Sequence, residues 1–238
     1  MKTLIVTPTY NERDNLPSFV AAVRAAAPDA DMMIVDDASP DGTGDLADEL
    51  AQKDDRVHVM HRPGKLGLGT AYLDAFRWGL SRDFERFFEM DADFSHDPKY
   101  IADFVRELDA GADVVIGSRN MPGGGVEGWG LGRHVLSKGG SLYARTILGL
   151  RVHDLTAGYK AFTRRALEAI GLETVRSNGY SFQIEMTYRA HLRGLKVVEV
   201  PTIFVDRRVG ASKMSRRIFA EAIGVVWKLR WDAMRGRL

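Results

Sequence analysis

Asp91 and Asp93 stand two positions apart at the end of the apolar run at 86–90 (RFFEM). On an extended backbone residues i and i+2 point to the same side, so both carboxylates are expected to face one cation. The chain has no cysteine, and His96 reads as a bystander. The ligands are then oxygens, which suits Mg²⁺ or Mn²⁺ completed by phosphate oxygens and water. A DxD string alone is a weak signal, because two solvated acids in a turn give the same letters; the neighbouring loops must decide. Asp36 and Asp37 end a second apolar run, with capping of the following helix as the competing role for Asp36. KLGLG at 65–69 reads first as a turn and only secondarily as backbone N–H groups near a phosphate.

The elements that hold these loops follow from periodicity. Residues 3–7 are a β-branched apolar run closed by Pro8, and 14–27 carries apolar residues at helical spacing. The same reading predicts strands at 32–35, 57–60, 86–90 and 113–116, and helices at 46–52, 69–80 and 97–108. Strands alternating with helices predict an α/β fold: a mainly parallel sheet with helices on both faces. Such sheets place ligands beyond the carboxyl ends of the strands. TPTYNE, DDASPDGT, RPGKLGLGT, DADFSHDP and GSRN follow the first five strands in turn, so five polar loops converge on one edge. The glycine-rich stretch 122–132 is predicted to be a mobile loop.

Composition removes several classes of function. Apolar residues make up 45% and charged residues 27%, as in an ordinary globular protein. The 33 basic and 32 acidic side chains leave a net charge of +1, so bulk charge gives no case for a nucleic-acid partner. The distribution is uneven: 29–55 carries ten acids against one Lys, and 205–238 carries nine basic residues against three acids. That asymmetry asks for two kinds of partner. Lack of cysteine excludes disulfides, thiolate catalysis and Cys-bound zinc, and fits a reducing compartment. The longest apolar stretch, 222–227, is far below the roughly 20 residues of a spanning helix. The opening run is too short for a signal peptide, so the chain is expected to start at or near residue 1.

PTYNE at 8–12, VDDASPDGT at 35–43, MDADFSHDP at 90–98 and GSRN at 117–120 occur in the order found in inverting family 2 glycosyltransferases, which the chain resembles. WGLGRHVLSKGG at 129–140, DLTAGYKAF at 154–162, GYSFQIEM at 179–186 and DRRVGASKM at 206–214 resemble, more narrowly, the dolichol-phosphate and polyprenol-phosphate mannose synthases of catalytic-domain-only type. The resemblance covers about residues 3–214. It implies a Rossmann-like GT-A domain at 1–214, followed by a basic amphipathic C-terminal helix at 215–238. It also implies transfer of mannose, with inversion, from GDP-mannose to a polyprenyl (dolichyl-type) monophosphate. By position, Pro8, Tyr10, Glu12, Val35 and Asp37 stand where the family holds the nucleoside, with Asp91, Ala92 and Asp93 completing the nucleotide-sugar site. Asp91, Asp93 and Ser95 match the metal site. Arg119, Arg133, Ser137, Arg207 and Lys213 match the acceptor-phosphate positions, and Asp91, Asp93, Arg119, Arg133 and Arg207 form the expected catalytic set. Asp154 and Glu185 are expected to scaffold loops and line the pocket, while His96, His134 and His153 have structural readings. Two alternatives stand beside this one: a glucosyl- or N-acetylglucosaminyltransferase using a UDP-sugar on the same lipid phosphate, and a catalytically silent membrane-binding scaffold.

The implied chemistry needs no general base. A phosphate monoester with a second pKa near ~6 is already ionised at neutral pH, unlike a hydroxyl acceptor. The difficulty is to bring an anionic acceptor to an anionic donor, which fixed guanidinium forks offset while the metal neutralises the departing diphosphate. A polyprenol tail lies in lipid, so the protein must visit a bilayer. In 216–238, Ile218, Ala222, Val226, Leu229 and Ala233 recur at helical spacing, with Trp227 and Trp231 at the flanks and six Arg or Lys interspersed. That pattern fits an interfacial helix on anionic lipid, or equally a helix packed on the domain or in a dimer. The expected location is cytoplasmic, peripheral on the cytoplasmic membrane face. Some family members carry added spans or membrane subunits, so an integral membrane partner is left open.

Overall fold

Five strands are continuous apolar runs because both faces of their sheet are covered. β1 (Thr3–Thr9), β2 (Asp31–Asp36), β3 (Val57–His61), β4 (Arg86–Glu89) and β5 (Val114–Ser118) alternate with α1 (Leu16–Ala26), α2 (Thr43–Lys53), α3 (Leu68–Leu80) and α4 (Ile101–Asp109). They are followed by β6 (Gly125–Glu127), α5 (Leu131–Leu148), β7 (Lys160–Thr163), α6 (Arg164–Ile170), α7 (Gly179–Leu192), β8 (Val197–Pro201), β9 (Ile203–Val205) and α8 (Arg216–Met234). This computed structural model describes residues 1–128, 130–205 and 216–238.

Seven strands form one sheet in the order β3-β2-β1-β4-β7-β5-β8. All pairings are parallel except those of β7, which runs antiparallel between β4 and β5. The expected mainly parallel α/β sheet is therefore present. The period-2 alternation divides each strand between two cores rather than between core and solvent. Leu4 and Val6 face one core with Tyr72, Phe76 and Phe182, whereas Ile5 faces the other with Phe19, Val20 and Phe104. Helix α1 shows the matching helical period: it buries Leu16, Phe19, Val20 and Val23 and starts with Pro17 in its first turn, where a missing N–H costs nothing.

One expectation is corrected, and one alternative that the sequence left open is decided. Part of the glycine-rich stretch predicted to be a mobile loop is strand, since β6 pairs in parallel with β9. Gly124 lets the chain double back there, because a Cβ on it would lie 2.3 Å from the Ser118 carbonyl oxygen. The aliphatic stripe of the C-terminal helix faces the protein: Val226 and Leu229 are buried against α5 and α7 with Leu148, Ile184 and Tyr188, and Ala233 packs beside them.

Candidate functional site

The loops after β1 and β2 are stitched together. Thr9 Oγ1 and the Ser39 hydroxyl donate to Asp36, and the Asn11 N–H donates to Ser39 Oγ at 3.0 Å. The Thr43 hydroxyl accepts the Glu12 N–H and itself donates to Asp41 at 2.6 Å. Asp36 thus braces loops and does not cap α2, whose N-cap, Gly42, has no side-chain bond. Of the residues expected at the nucleoside, Pro8 pairs in register with Val35, and the Val35 side chain is wholly buried. The Tyr10 ring carries the Lys65 ammonium 3.9 Å above it, and the Glu12 carboxylate accepts from Asn15 at 2.9 Å. Asp37 is 2.8 Å from Arg62, a buried arginine that also donates to Thr70 at 2.6 Å. Burial pushes the Asp37 carboxyl up, against the pull of Arg62.

The 65–69 segment runs into the first turn of α3 and is latched to its neighbours. The Gly67 N–H points at Asp37 (3.4 Å), and the Gly69 N–H donates to Asn178 at 2.8 Å. Gly67 has φ +103°, and an added Cβ would strike the Asn178 amide.

Asp91 and Asp93 both lie beyond β4, in a turn and not on the strand. β4 stops at Glu89, and 92–96 is turn and bend, with Phe94 at φ 61°. Each aspartate is held by its own contacts. Asp93, buried like Ala92 and Ser95, accepts the Ser95 N–H at 3.0 Å. The Tyr72 hydroxyl, from the fully buried face of α3, donates to Asp91 Oδ1 at 3.3 Å. Burial and the Asp91 charge drive that phenol well above its ordinary pKa, so it acts only as a donor. His96 is more than a bystander: its Nδ1 accepts the Asp91 N–H at 3.0 Å, which leaves the proton of the neutral ring on Nε2. The ring is 5% exposed and stacks on Tyr159, which stacks on Phe104. Among the described residues the buried Ser95 Oγ has no hydrogen-bond partner.

Beneath this loop lies a polar cluster that sequence reasoning missed. Glu89 and Lys160 are cross-strand partners on β4 and β7, both wholly buried. Gln183 Nε2 donates to Glu89 at 2.7 Å, while Lys160 donates to the Gln183 carbonyl at 2.7 Å and to Thr187 at 2.9 Å. Burial pushes the Glu89 carboxyl up to about 7 and the Lys160 ammonium down to about 8, each shift opposed by the other's charge.

Arg119, at the end of β5, is held fork-to-fork by Asp154: Nε to Oδ2 at 2.6 Å and Nη2 to Oδ1 at 2.8 Å. The side chains are 8% and 0% exposed. Burial raises the Asp154 carboxyl, but the Arg119 charge and its hydrogen bonds outweigh that and hold it below the usual range. Arg119 and Ser95 line the same small cavity, about 10 Å³. Glu185 pairs with Arg189 at 2.8 Å and accepts the Ser177 N–H, the expected scaffolding role. His153 lies 2.7 Å from Glu199. Ser137 is half-buried on α5. Arg133 and His134 fall on the same helix, with side chains outside the described residues. Arg207 and Lys213 lie outside the described residues altogether.

Comparison with known proteins gives the family and the fold. The pattern of the family described as Glycosyl transferase family 2 matches residues 4–171. A "Polyprenol monophosphomannose synthase" of Mycolicibacterium smegmatis is 52% identical over 238 residues, covering 100% of this chain and 89% of the relative. An "Undecaprenyl-phosphate mannosyltransferase" of Micrococcus luteus is 48% identical, covering 100% and 99%. Among solved structures, glucosyl-3-phosphoglycerate synthase from Mycobacterium tuberculosis, in complex with Mn²⁺, UDP-glucose and phosphoglyceric acid, superposes with a TM-score of 0.70 at 17% identity, over 97% of this chain and 80% of that one. At that identity the likeness speaks for the fold alone. The family match over most of the chain, reinforced by two full-length relatives, makes this protein a family 2 glycosyltransferase, with the GT-A fold that its loops required.

Proposed function

We propose that this chain transfers mannose from GDP-mannose to the phosphate of a polyprenyl monophosphate, with inversion at the anomeric carbon. The observation that carries the reading is likeness over the whole chain to two relatives named for mannosyl transfer to such lipids. Asp91, Asp93 and the unpartnered hydroxyl of Ser95 suit a divalent cation, since all are hard oxygen donors and the Ser95 oxygen is otherwise buried without compensation. These residues would hold Mg²⁺ or Mn²⁺; a structural neighbour was solved with Mn²⁺. Such an ion, when bound, supplies neutralisation of the charge that grows on the departing diphosphate.

The chain's own residues account for the rest. Tyr72 and His96 orient Asp91, and Arg62 with Asn178 fixes the loop beside Asp37. Pro8, Tyr10, Glu12, Val35, Asp37 and Ala92 are the proposed nucleotide-sugar positions. Arg119, Arg133, Ser137, Arg207 and Lys213 are the proposed phosphate-handling set, with Arg119 aimed by Asp154. The acceptor arrives ionised, so no side chain takes a proton from it. Among the described residues no helix is long and apolar enough to cross a membrane. The reading therefore keeps 1–214 as the transferase domain and brings it to the lipid by peripheral contact on the cytoplasmic face, through 215–238.

The test is a panel of radiolabelled GDP-mannose, UDP-glucose and UDP-N-acetylglucosamine with a short-chain polyprenyl phosphate, in the presence of Mg²⁺ or Mn²⁺. Label should pass from GDP-mannose and be lost with EDTA. Label taken only from the UDP-sugars rejects the mannosyl reading.

A further inference from the structure

Helix α8 has two apolar faces with opposite fates. Val226 and Leu229 point into the core shared with α5 and α7. At about 100° per residue, Trp227, Trp231 and Met234, spaced i, i+4, i+7, lie on the opposite side, and they are 58%, 50% and 62% exposed. Two tryptophans and a methionine in a row on the outside of a docked helix have no packing reason to be there. A helix needs only one apolar stripe to join a core, and α8 already has it. Exposed large side chains of this kind mark an interaction surface.

Charge selects the occupant. Lys228, Arg230 and Arg235 are exposed and flank the Trp row in angular position, and the Arg235 guanidinium sits 4.3 Å over the Trp231 ring. Asp232, the one acid of this final turn, is paired with Arg237. Apolar rings ringed by unmatched cations are the design of a helix lying in the headgroup layer of an anionic bilayer, rings at the acyl boundary and cations at the phosphates. A second copy of this chain would set like charges against each other across the contact.

We propose that the Trp227–Trp231–Met234 face of α8 is the membrane-docking surface of this protein, selective for anionic lipid. The choice of lipid over protein as occupant rests on the lipid-phosphate reading of the active site. The sequence left open whether this helix lies on lipid or packs on the domain; its aliphatic stripe packs on the domain, which leaves the tryptophans at its flanks for the lipid.

The experiment is co-flotation of the full chain with vesicles of phosphatidylcholine alone or mixed with phosphatidylglycerol, with quenching of tryptophan emission by brominated lipid. The unaltered chain should float with the mixed vesicles and much less with phosphatidylcholine. Trp227→Ala with Trp231→Ala should weaken binding by about tenfold per ring, the order of half a large side chain's transfer energy. Lys228→Glu with Arg235→Glu should abolish the preference for anionic lipid. Both variants should keep the thermal unfolding and the transfer to a short-chain acceptor in detergent of the unaltered chain. Undiminished flotation of the tryptophan variant overturns the proposal, as does a dimer that the substitution dissolves without any vesicle binding. If transfer to every polyprenyl phosphate fails while flotation follows the predicted pattern, the active-site reading falls and this surface stands. The reverse result sinks the surface alone.

Discussion

The pair Arg119–Asp154 offers the sharpest prediction, because its two plausible meanings separate in a single cycle. Both side chains are almost wholly buried, and Asp154 receives Nε, Nη2 and the backbone N–H of Arg119, at 2.6, 2.8 and 3.1 Å. Asp154→Asn leaves a guanidinium in the interior facing a neutral amide. At this burial no discount for solvent applies, so the cost is about 3–5 kcal/mol. For a domain of this size about 2–4 °C accompanies each kcal/mol, which predicts an apparent Tm lower by roughly 6–20 °C. Replacing both partners, Arg119→Met with Asp154→Leu, removes both charges and should regain most of the loss. It leaves the residue-119 N–H unpaired, at about 1–3 kcal/mol. A structure that needed only stability would be served as well by the apolar pair. On the proposed reading, the guanidinium that lines a cavity with Ser95 works instead on phosphate. The double variant should therefore unfold above Asp154→Asn and about 2–12 °C below the original, the unpaired N–H making the difference, yet transfer little or no mannose to a short-chain polyprenyl phosphate. A stable double variant with undiminished kcat and KM would refute the reasoning and reduce Arg119 to scaffolding. A Tm within about 2 °C of the original for Asp154→Asn would refute the burial argument itself.

Two further outcomes follow from the groups packed around the carboxylates. Tyr72→Phe removes one O–H from a fully buried ring without changing its shape; loss of such a supporting bond typically costs 10- to 100-fold in metal affinity, so Mn²⁺ binding followed by electron paramagnetic resonance should weaken by about that factor, and unchanged binding would remove Tyr72 from the site. Glu89, whose folded-state value near 7 lies above the ordinary 4.5, holds its proton longer in the folded state, so its contribution to stability is complete below about 4.5 and is lost as pH rises through about 7. Lys160 has the opposite sign, with a value lowered to about 8 from 10.5, so stability recovers as pH climbs from 8 towards 10.5. Glu89→Gln should flatten Tm against pH between 4.5 and 7 and, because Lys160 loses the carboxylate that opposes its desolvation, start the alkaline rise at lower pH; an unaltered acid limb would show that Glu89 does not titrate there.

Much of this was legible in the letters, and the exceptions share a physical cause. Five parallel strands and the loops beyond them could be read because two-sided burial writes long apolar runs and the turn chemistry sits between them. β7 could not be read: it is four residues long, and its first residue is a fully buried lysine, which breaks any apolar pattern. The aspartate pair was located by spacing, but the geometry assumed for it depended on the strand reaching residue 93, whereas β4 ends at 89 and the chain turns. Tyr72 and Lys160 are invisible to local pattern because each meets its partner from another element, nineteen residues away from Asp91 in the first case. The helical wheel of α8 offered two apolar faces, and only its contact with α5 and α7 decides which of them is spent on the core.

The three non-glycine residues with positive φ, Asn11 at 60°, Ala38 at 53° and Phe94 at 61°, fall one each in the loops after β1, β2 and β4. Each costs of order 1–3 kcal/mol and persists only where its surroundings over-determine it. Those surroundings are visible: Ser39 Oγ accepts the Asn11 N–H, Asp36 binds the Ser39 N–H and hydroxyl beside Ala38, and Phe19 meets Phe94 edge-on at 5.4 Å. Together with the buried Glu89–Lys160 and Arg119–Asp154 pairs, which an apolar interior would not require, this puts several costly features at one edge of the sheet. Strain scattered by chance would have no reason to select the carboxyl ends of neighbouring strands. On the proposed reading, that placement holds the donor loops and the aspartates ready before any ligand arrives, so that little of the binding energy of a nucleotide sugar would go into shaping its own site.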